Sequence, residues 1–332
     1  MATSREVAEL AGVSVSSVSR AFRDDAYISR EVRERILAAA EKLGYTPNLM
    51  ARSLKSQKSR IIGLVISDID NPFYSIITRI IESELKRLGY RLLLSYSNEN
   101  AEQELEDLNL LASSRVDGII FTPTTSKHAS FIRNLKKQNI ALVQMYRTGY
   151  ADIDSVVMDD EMGAYLATKH LLQNGHSDIL LLSVESPISP SRANGYRRAM
   201  AEADKPVNEE YVLHLPFQTD LKNIIKNKIS LLKPTAVVAG TNTIGMDVIK
   251  TCKEMKLSIP GDLSLVMFDD VAWASLLEIT TVSQPTENLG LCACRTIMDR
   301  IAKQYTTEQM TTVLEPFLIA RQSVRNLYAS RS

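Results

Sequence analysis

From near residue 61 onward, short apolar segments alternate with amphipathic helical segments, and this alternation leaves few possible folds. Apolar runs recur at 61–66, 92–95, 118–121, 141–145, 179–183, 236–240 and 263–268. Helical spacing of apolar residues appears at about 73–88, 101–113, 161–174, 190–202, 242–256 and 287–302. Apolar strands bounded by helices are typical of a buried parallel sheet with helices on both faces. Because seven strands are many for one such sheet, the pattern predicts two doubly wound α/β lobes.

Polar residues follow several of these segments, at the strand ends where doubly wound sheets bind ligands. The candidates by this argument are Ser67, Asp68, Thr122, Tyr146, Arg147, Asn242, Asp269 and Asp270. Asp and Asn are also common turn formers, so a turn or capping role explains each position taken singly equally well. The sequence contains no phosphate-binding loop, dinucleotide-binding glycine motif or nucleophile elbow, and therefore offers no sign of an enzyme.

Composition is that of an ordinary globular protein, with 45% hydrophobic and 23% charged residues among 332. No apolar run approaches the roughly 18 residues of a membrane span, and the first ten residues lack the apolar centre of a signal peptide. We therefore expect a cytoplasmic protein. The three cysteines form no redox or zinc motif, and the four scattered histidines make no metal cluster, so neither a cofactor nor a metal is expected.

Three short helices are predicted in the first sixty residues. Thr3 and Glu6 form a capping box that opens the first helix, and Gly12 ends it. Ser14 caps a second helix and Ser29 a third. The apolar residues at helical spacing are Val7, Leu10, Ala11, Val15, Val18, Ala21, Phe22, Val32, Ile36, Leu37 and Ala40.

The joint between the first two helices, A-G-V at 11–13, has the small residue and the glycine that let two helices cross closely in a helix-turn-helix. The second helix of such a motif lies in the major groove of DNA. Its first turn offers Val15 to a thymine methyl and Ser16 to a base edge, and Arg20 one turn later can bind guanine or a phosphate. The residues expected at phosphates are Thr3, Ser4, Ser14, Ser17 and Ser29. A small helical bundle with ordinary caps is the alternative.

A basic segment follows these helices. Residues 1–60 carry 11 Lys or Arg against 7 Asp or Glu, whereas the whole chain carries 39 of each, a distribution that suits a surface facing phosphates. Pro47 can open a short helix that would be unstable in water by itself. The segment is therefore either a flexible linker or a helix that orders on DNA, with Asn48 and Ala51 in contact and Leu54 as an apolar wedge in the minor groove.

Three stretches together resemble a known family. They read V-A-E-L-A-G-V-S-V-S-S-V-S-R-A, I-S-R-E-V-R-E-R-I-L-A-A-A-E-K-L-G-Y-T-P-N-L-M-A-R-S-L and I-I-G-L-V-I-S-D-I-D-N-P-F-Y. The chain resembles, over essentially its whole length, the lactose-repressor/galactose-repressor family of transcriptional regulators. The resemblance implies a homodimer that binds a pseudo-palindromic operator in double-stranded DNA under the control of a small molecule. It also implies that Val15, Ser16 and Arg20 read bases and that Leu54 is the intercalating hinge leucine.

The resemblance further implies a core like that of periplasmic sugar-binding proteins, with a sugar-like effector held between two lobes. The effector contacts that it implies are Phe73, Tyr146, Arg147, Arg192, Phe217, Asn242, Asp269 and Gln284. The chain departs from the family at Tyr146, where Asp often precedes the arginine, and at Thr243, where Asp often follows the asparagine. Because both changes remove a carboxylate, we expect a ligand more anionic than a plain sugar, such as a sugar phosphate. Stacking of Tyr146 on a sugar face is the alternative.

These observations predict three parts: a helix-turn-helix domain at 1–46, a hinge at 47–60 and an effector-binding and dimerisation core at 61–332. Lobe 1 of the core is expected at about 61–159 plus 285–316. Lobe 2 is expected at about 160–284 plus 317–332, with a last strand at 317–321. No tetramerising leucine heptads follow residue 323, so a dimer is expected. The helices at 73–88 and near 250 and 287 are either interface elements or plain core.

Three functional classes fit a two-lobed α/β core. A regulator that binds an operator and responds to an effector accounts for every segment. The solute-binding protein of a transporter would need a signal peptide and would leave residues 1–60 unexplained. An enzyme would need a nucleophile with a base or a cofactor loop, and His170 and His176 lie on and just past a helix end instead. The sequence therefore predicts a regulator, and it leaves open the effector, the operator and the direction of the response.

Overall fold

The structure is a computed structural model that describes residues 2–22, 27–45, 59–184, 188, 191–217, 221–303 and 308–328. The chain divides into two compact units, Met1–Arg60 and Ile61–Ser332, and each has its own apolar core. The hinge positions Asn48, Ala51 and Leu54 lie outside the described residues. Among the residues that are described, no helix is long and apolar enough to cross a membrane.

The first unit contains the three predicted helices, α1 (Ser4–Ala11), α2 (Val15–Ala21) and α3 (Arg30–Lys42). The capping box at the start of α1 forms as predicted: the Thr3 amide donates to the Glu6 carboxylate at 2.6 Å, and the Glu6 amide donates to the Thr3 hydroxyl at 3.3 Å. Gly12 ends α1 with φ +63°, a left-handed conformation that glycine adopts without the strain of a Cβ. The chain can therefore turn at once into α2.

Small residues fill much of the core of this bundle, which lets the helices approach closely. The buried apolar residues are Val7, Ala8, Ala11, Val18, Ala21, Ile36, Ala39 and Ala40. Leu10 and Leu37 share the helical spacing of the core residues but are 48% and 41% exposed. A bundle of three short helices has too small an interior to cover every apolar residue at helical spacing.

The second unit is built on twelve strands joined by nine α-helices and a 3-10 turn at Glu209–Tyr211 within the described ranges. The strands are β1 (Ile61–Ile66), β2 (Arg91–Tyr96), β3 (Gly118–Phe121), β4 (Ala141–Tyr146), β5 (Asp154–Met158), β6 (Ile179–Val184), β7 (Val212–Leu215), β8 (Ala236–Ala239), β9 (Ser264–Phe268), β10 (Thr280–Ser283), β11 (Thr311–Leu314) and β12 (Phe317–Ile319). The helices are α4 (Pro72–Arg87), α5 (Ala101–Ser113), α6 (Ala129–Lys137), α7 (Asp160–Gln173), α8 (Ser191–Glu202), α9 (Lys222–Leu232), α10 (Asn242–Met255), α11 (Ala272–Leu276) and α12 (Thr286–Lys303).

The strands form two sheets of six with matching order. The first sheet, in the first lobe, runs β11-β5-β4-β3-β1-β2, and the second, in the second lobe, runs β12-β10-β9-β8-β6-β7. Neighbouring strands are parallel except for β12, which pairs antiparallel with β10. Helices cover both faces of each sheet: α4 and α12 oppose α5 and α6 in the first lobe, and α9 to α11 oppose α7 and α8 in the second. The predicted fold class, a helix-turn-helix with two doubly wound lobes, is confirmed.

The chain passes between the lobes at three places in the described residues, between β5 and α7, between β10 and α12, and between β11 and β12. A buried ion pair joins elements within the first lobe. Arg300 on α12 donates to the Asp154 carboxylate of β5, and the two side chains are 5% and 1% exposed. The same carboxylate accepts the Met310 amide at 2.8 Å, and Arg300 also donates to the Glu308 carbonyl at 2.7 Å. The pair thus joins β5, α12 and the segment that leads into β11.

Candidate functional site

The exposed face of α2 carries the residues predicted to read bases. Val15 is 45% exposed although it is apolar, and Ser16 and Arg20 are exposed beside it. Val18 and Ala21 on the opposite face are buried in the bundle, so packing fixes which side of α2 faces outward. An apolar residue, a hydroxyl and a guanidinium on one helical face form the set that reads base edges in a major groove.

The residues predicted at phosphates lie at the helix N-termini. The Ser14 hydroxyl accepts the Ser17 amide at 3.2 Å and lies 2.8 Å and 2.9 Å from the hydroxyls of Ser16 and Ser17. Ser29 caps α3 in the same way, through the Val32 amide at 3.4 Å. Thr3 is engaged by the Glu6 carboxylate, and Ser4 is the partly exposed first residue of α1. The N-termini of α2 and α3 thus present oriented amides and hydroxyls, as an anion-binding surface requires.

A second candidate site is a cavity of about 180 Å³ in the second unit, lined by residues of both lobes. From the first lobe come Asp68 and Asn71 after β1, Phe73 and Tyr74 at the start of α4, Glu99 after β2, and Tyr146 and Arg147 at the end of β4. From the second lobe come Arg192 on α8, Phe217 after β7, Thr241 before α10 and Asp269 after β9. Because the carboxyl ends of both sheets meet here, the cavity lies where doubly wound folds bind ligands.

Tyr146 and Asp269 occupy corresponding positions in the two lobes, at the ends of β4 and β9. Both have a left-handed backbone, with φ +75° and +72°. Such conformations are costly for residues with a Cβ and persist where surrounding contacts hold them, commonly at functional sites. The turns direct one aromatic and one acidic side chain into the cavity.

Aromatic rings form one wall. The Tyr146 ring lies 5.1 Å from that of Phe73 and 6.2 Å from that of Tyr74, centroid to centroid. Burial raises the pKa of the Tyr146 phenol well above its ordinary value of 10, so its hydroxyl stays protonated. Phe217 lines the cavity from the second lobe. Aromatic side chains in the wall of a cavity are typical of sites that bind small molecules.

Arg192 contacts both lobes. Its guanidinium donates to the Asp160 carboxylate at 3.1 Å, to the Gly240 carbonyl and, across the cleft, to the Tyr146 hydroxyl. It also lies over the Phe268 ring, 4.3 Å from the centroid. Burial is the largest single effect and acts to lower the pKa of this guanidinium, but Asp160, Tyr146 and Asp269 together outweigh it, and the pKa is raised. Arg192 therefore remains a cation.

Asp269 accepts hydrogen bonds from the amides of two neighbouring side chains, Asn242 and Gln284. One of its oxygens accepts the Asn242 side-chain amide at 2.8 Å and the Asn242 backbone amide at 3.2 Å, and the other accepts the Gln284 amide at 2.5 Å. Burial raises the pKa of this carboxyl, while the Asn242 hydrogen bonds act against the shift. The Asn242 side chain also donates to the Asn71 side chain of the first lobe at 2.7 Å.

Six of the eight predicted effector residues line the cavity: Phe73, Tyr146, Arg147, Arg192, Phe217 and Asp269. Asn242 and Gln284 lie behind the wall and hold Asp269. The resemblance did not include Asp160 or Glu99, each of which neutralises a guanidinium of the cavity. Glu99 lies in the loop that follows β2, so the strand-end argument, extended to that loop, would have found it.

Two descriptions of known protein families match this chain. Residues 59–322 match the family described as periplasmic binding proteins and sugar binding domain of the LacI family, and residues 3–48 match bacterial regulatory proteins of the lacI family. The chain belongs to the LacI family. The predicted resemblance is thus confirmed, and the chain is a DNA-binding transcription regulator rather than an enzyme.

Relatives within the LacI family match the chain from end to end. It is 31% identical to the HTH-type transcriptional repressor PurR of Vibrio campbellii, over 98% of this chain and 100% of the relative. It is 29% identical to the ribose operon repressor of Haemophilus influenzae, again over 98% and 100%. These relatives share both the DNA-binding and the effector-binding parts of the architecture.

Solved structures of the family have the same fold. A complex of the transcriptional regulator CelR with cellobiose is 26% identical, with a TM-score of 0.71 over 97% of this chain and 100% of that one. A LacI family regulator of Enterococcus faecium with bound ribose is 27% identical, with a TM-score of 0.72 over 80% and 99%. The Lac repressor dimer bound to operator is 23% identical, with a TM-score of 0.82 over 98% and 99%, and supports the fold.

Proposed function

We propose that this LacI-family chain is a cytoplasmic repressor that binds a pseudo-palindromic operator as a homodimer and responds to a sugar-like effector in the cleft. The exposed set Val15, Ser16 and Arg20 on α2 carries the DNA-binding part, because packing of the bundle leaves this face, and no other face of α2, outward. The names of the PurR and ribose operon relatives support the repressor role.

The edge strand β2 supports the homodimer. Leu93, Leu94 and Tyr96 on this strand are 40%, 42% and 47% exposed, and β2 is the last strand of its sheet. An exposed apolar edge strand on a monomer would be a site of aggregation, whereas a second copy of the chain would cover it. A two-fold dimer also matches an operator with two half-sites about one helical turn apart.

The cleft supports a small effector. Its volume of about 180 Å³ is below the roughly 300–1,000 Å³ of sites for drug-sized molecules, so it suits a single ring. Aromatic walls with carboxylates and guanidiniums bind ring faces and hydroxyls together. Ribose in the Enterococcus faecium regulator is a ligand of this size class. Effector binding would change the angle between the lobes, and through residues 47–60 the spacing of two DNA-binding domains, with a coupling on the order of 1–3 kcal/mol.

Selection of operators from a randomised palindromic library, followed by gel shift, tests the DNA-binding part. We expect sequence-specific binding that weakens between about 50 and 200 mM salt. Arg20→Ala should lose about 1–3 kcal/mol of discrimination at one base pair of each half-site. Arg35→Ala, which removes an exposed arginine of α3, is the matched control. Wild-type binding that is equal for all sequences and insensitive to salt would contradict the proposal.

A further inference from the structure

The ion pair between Arg147 and Glu99 lies in the wall of the cavity. Arg147 follows β4, Glu99 follows β2, and both side chains line the cavity from the first lobe. The Arg147 guanidinium donates to the Glu99 carboxylate and, at 3.0 Å, to the Ser67 hydroxyl. The two side chains are only 8% and 15% exposed, so water screens the pair weakly.

An unusual backbone turn brings the Glu99 side chain to the wall of the cavity. Asn98 and Glu99 are consecutive residues with left-handed backbones, at φ +51° and +56°. Glutamate rarely adopts this conformation, which persists only where other contacts compensate for its cost. Two backbone bonds hold the turn against the end of β1: the Ser97 amide donates to the Ile66 carbonyl at 2.9 Å, and the Asn98 amide donates to the Ser67 carbonyl at 2.8 Å.

The remaining charges of the cavity give it no net attraction for an anion. Arg192, its other guanidinium, is paired with Asp160 at 3.1 Å. Asp68 and Asp269 are additional carboxylates, one from each lobe. The hydrogen bonds described for them come from uncharged amides, including the Asp70 amide to Asp68 at 2.9 Å. A ligand would therefore meet carboxylates that accept hydrogen bonds and guanidiniums whose charge is already balanced.

We propose that Glu99 determines the class of effector: by neutralising Arg147 from within the chain, it makes the cleft select an uncharged ligand that donates hydrogen bonds and reject phosphorylated or carboxylated ligands. This inference rests on the proposed function, in which the effector occupies the cleft. It replaces the anionic ligand expected from the sequence, because Glu99 and Asp160 already pair with the two arginines that line the cavity, Arg147 and Arg192. Hydroxyl groups of a single sugar ring have the required chemistry, since they donate to Asp68 and Asp269.

Calorimetric titration of the full chain with inorganic phosphate and with ribose 5-phosphate tests the inference. We expect neither to bind the wild type at millimolar concentration. Glu99→Gln keeps the shape of the side chain and removes its charge, and should strengthen phosphate binding by tenfold or more, because one like charge within a few ångströms is lost. Glu102→Gln removes an exposed carboxylate three residues away and should behave as the wild type.

Saturable wild-type binding of either anion, abolished by Arg147→Gln, would overturn the inference, as would equal phosphate binding by folded Glu99→Gln and Glu102→Gln. If Glu99→Gln does not fold, the wild-type titration decides alone, and absence of anion binding supports the selectivity. The gel shift with operator DNA tests the proposed function independently of these titrations. Absence of operator specificity would contradict the proposed function of the chain as a regulator. Phosphate binding by the wild type would contradict only the proposed role of Glu99.

Discussion

Replacing Tyr146 with phenylalanine tests how the two lobes of the core are held together. The substitution keeps the ring and its contacts with Phe73 and Tyr74, and removes only the hydroxyl that accepts a hydrogen bond from Arg192. Tyr146 belongs to the first lobe and Arg192 to the second, so this bond exists only while the cleft is closed. The variant should therefore favour the open form.

The size of the effect follows from the partners that remain. A hydrogen bond to a charged group contributes about 1.5–3 kcal/mol. Arg192 keeps Asp160 at 3.1 Å and the Gly240 carbonyl, so the lower end of that range applies. A loss of about 1.4 kcal/mol changes the ratio of closed to open molecules by roughly tenfold. The bond between Asn242 and Asn71, at 2.7 Å, still joins the lobes.

Small-angle scattering of the ligand-free chain should show a larger radius of gyration for Tyr146→Phe than for the wild type. Backbone amides around the cleft should exchange hydrogen roughly tenfold faster, because exchange follows the open population. Tyr196→Phe is the matched control, since that hydroxyl donates to the Ile179 carbonyl at 2.9 Å within the second lobe. Equal radii and equal exchange near the cleft in the two variants would show that the bond between Tyr146 and Arg192 does not hold the cleft closed.

Substitutions at three further places probe the fold. Gly12→Ala should destabilise the first unit by about 1–2 kcal/mol, because residue 12 has a left-handed backbone, and Gly12→Asn should destabilise it by less. Hydrogen exchange in α1 should therefore be faster in the alanine variant than in the asparagine variant. Equal exchange in the two variants would contradict this prediction. Burial raises the pKa of Glu104 above 4.5, so the folded chain keeps a proton that the unfolded chain releases, and stability falls as pH rises from 4.5 through the folded pKa. Denaturant unfolding at several pH values should show that Glu104→Gln flattens this fall and that exposed Glu106→Gln does not. Asp154→Ala should cost about 3–5 kcal/mol, because it leaves the Arg300 guanidinium buried without its carboxylate, and combining Asp154→Leu with Arg300→Met should cost less than the sum of the two single changes.

Apolar runs in the sequence predict the strands that are buried on both faces of a sheet. The bounds of β1 and β3 are as predicted, because a buried parallel strand needs only an unbroken apolar run. The sequence does not predict β5, β7, β10 or β11, which contain polar residues. Asp154 in β5 resembles a turn residue, and it is buried only because Arg300, 146 residues away along the chain, pairs with it. A prediction from local sequence cannot include both residues of this ion pair, because they are so far apart along the chain.

The same limit applies to the cleft. The strand-end argument and the family resemblance name Tyr146, Arg147 and Asp269, which reach the cavity. They do not reveal that Arg147 is already paired, because Asn98 indicates a turn there but nothing local indicates that the next residue, Glu99, reaches a residue 48 positions away. Charge balance in a site depends on such distant pairs, and so the expected charge of the ligand changes once the contacts are known.

The three passages of the chain between the lobes affect the order in which the protein can be made. Synthesis begins the first lobe with β1, but α12 and β11, which complete it, follow β6 to β10 of the second lobe. Until they emerge from the ribosome, the edge of β5 stays open and Asp154 lacks Arg300, so the nascent first lobe exposes an unpaired edge that can join other chains. No single cut in the chain separates the lobes, and a messenger truncated between β6 and β11 would encode two unfinished domains.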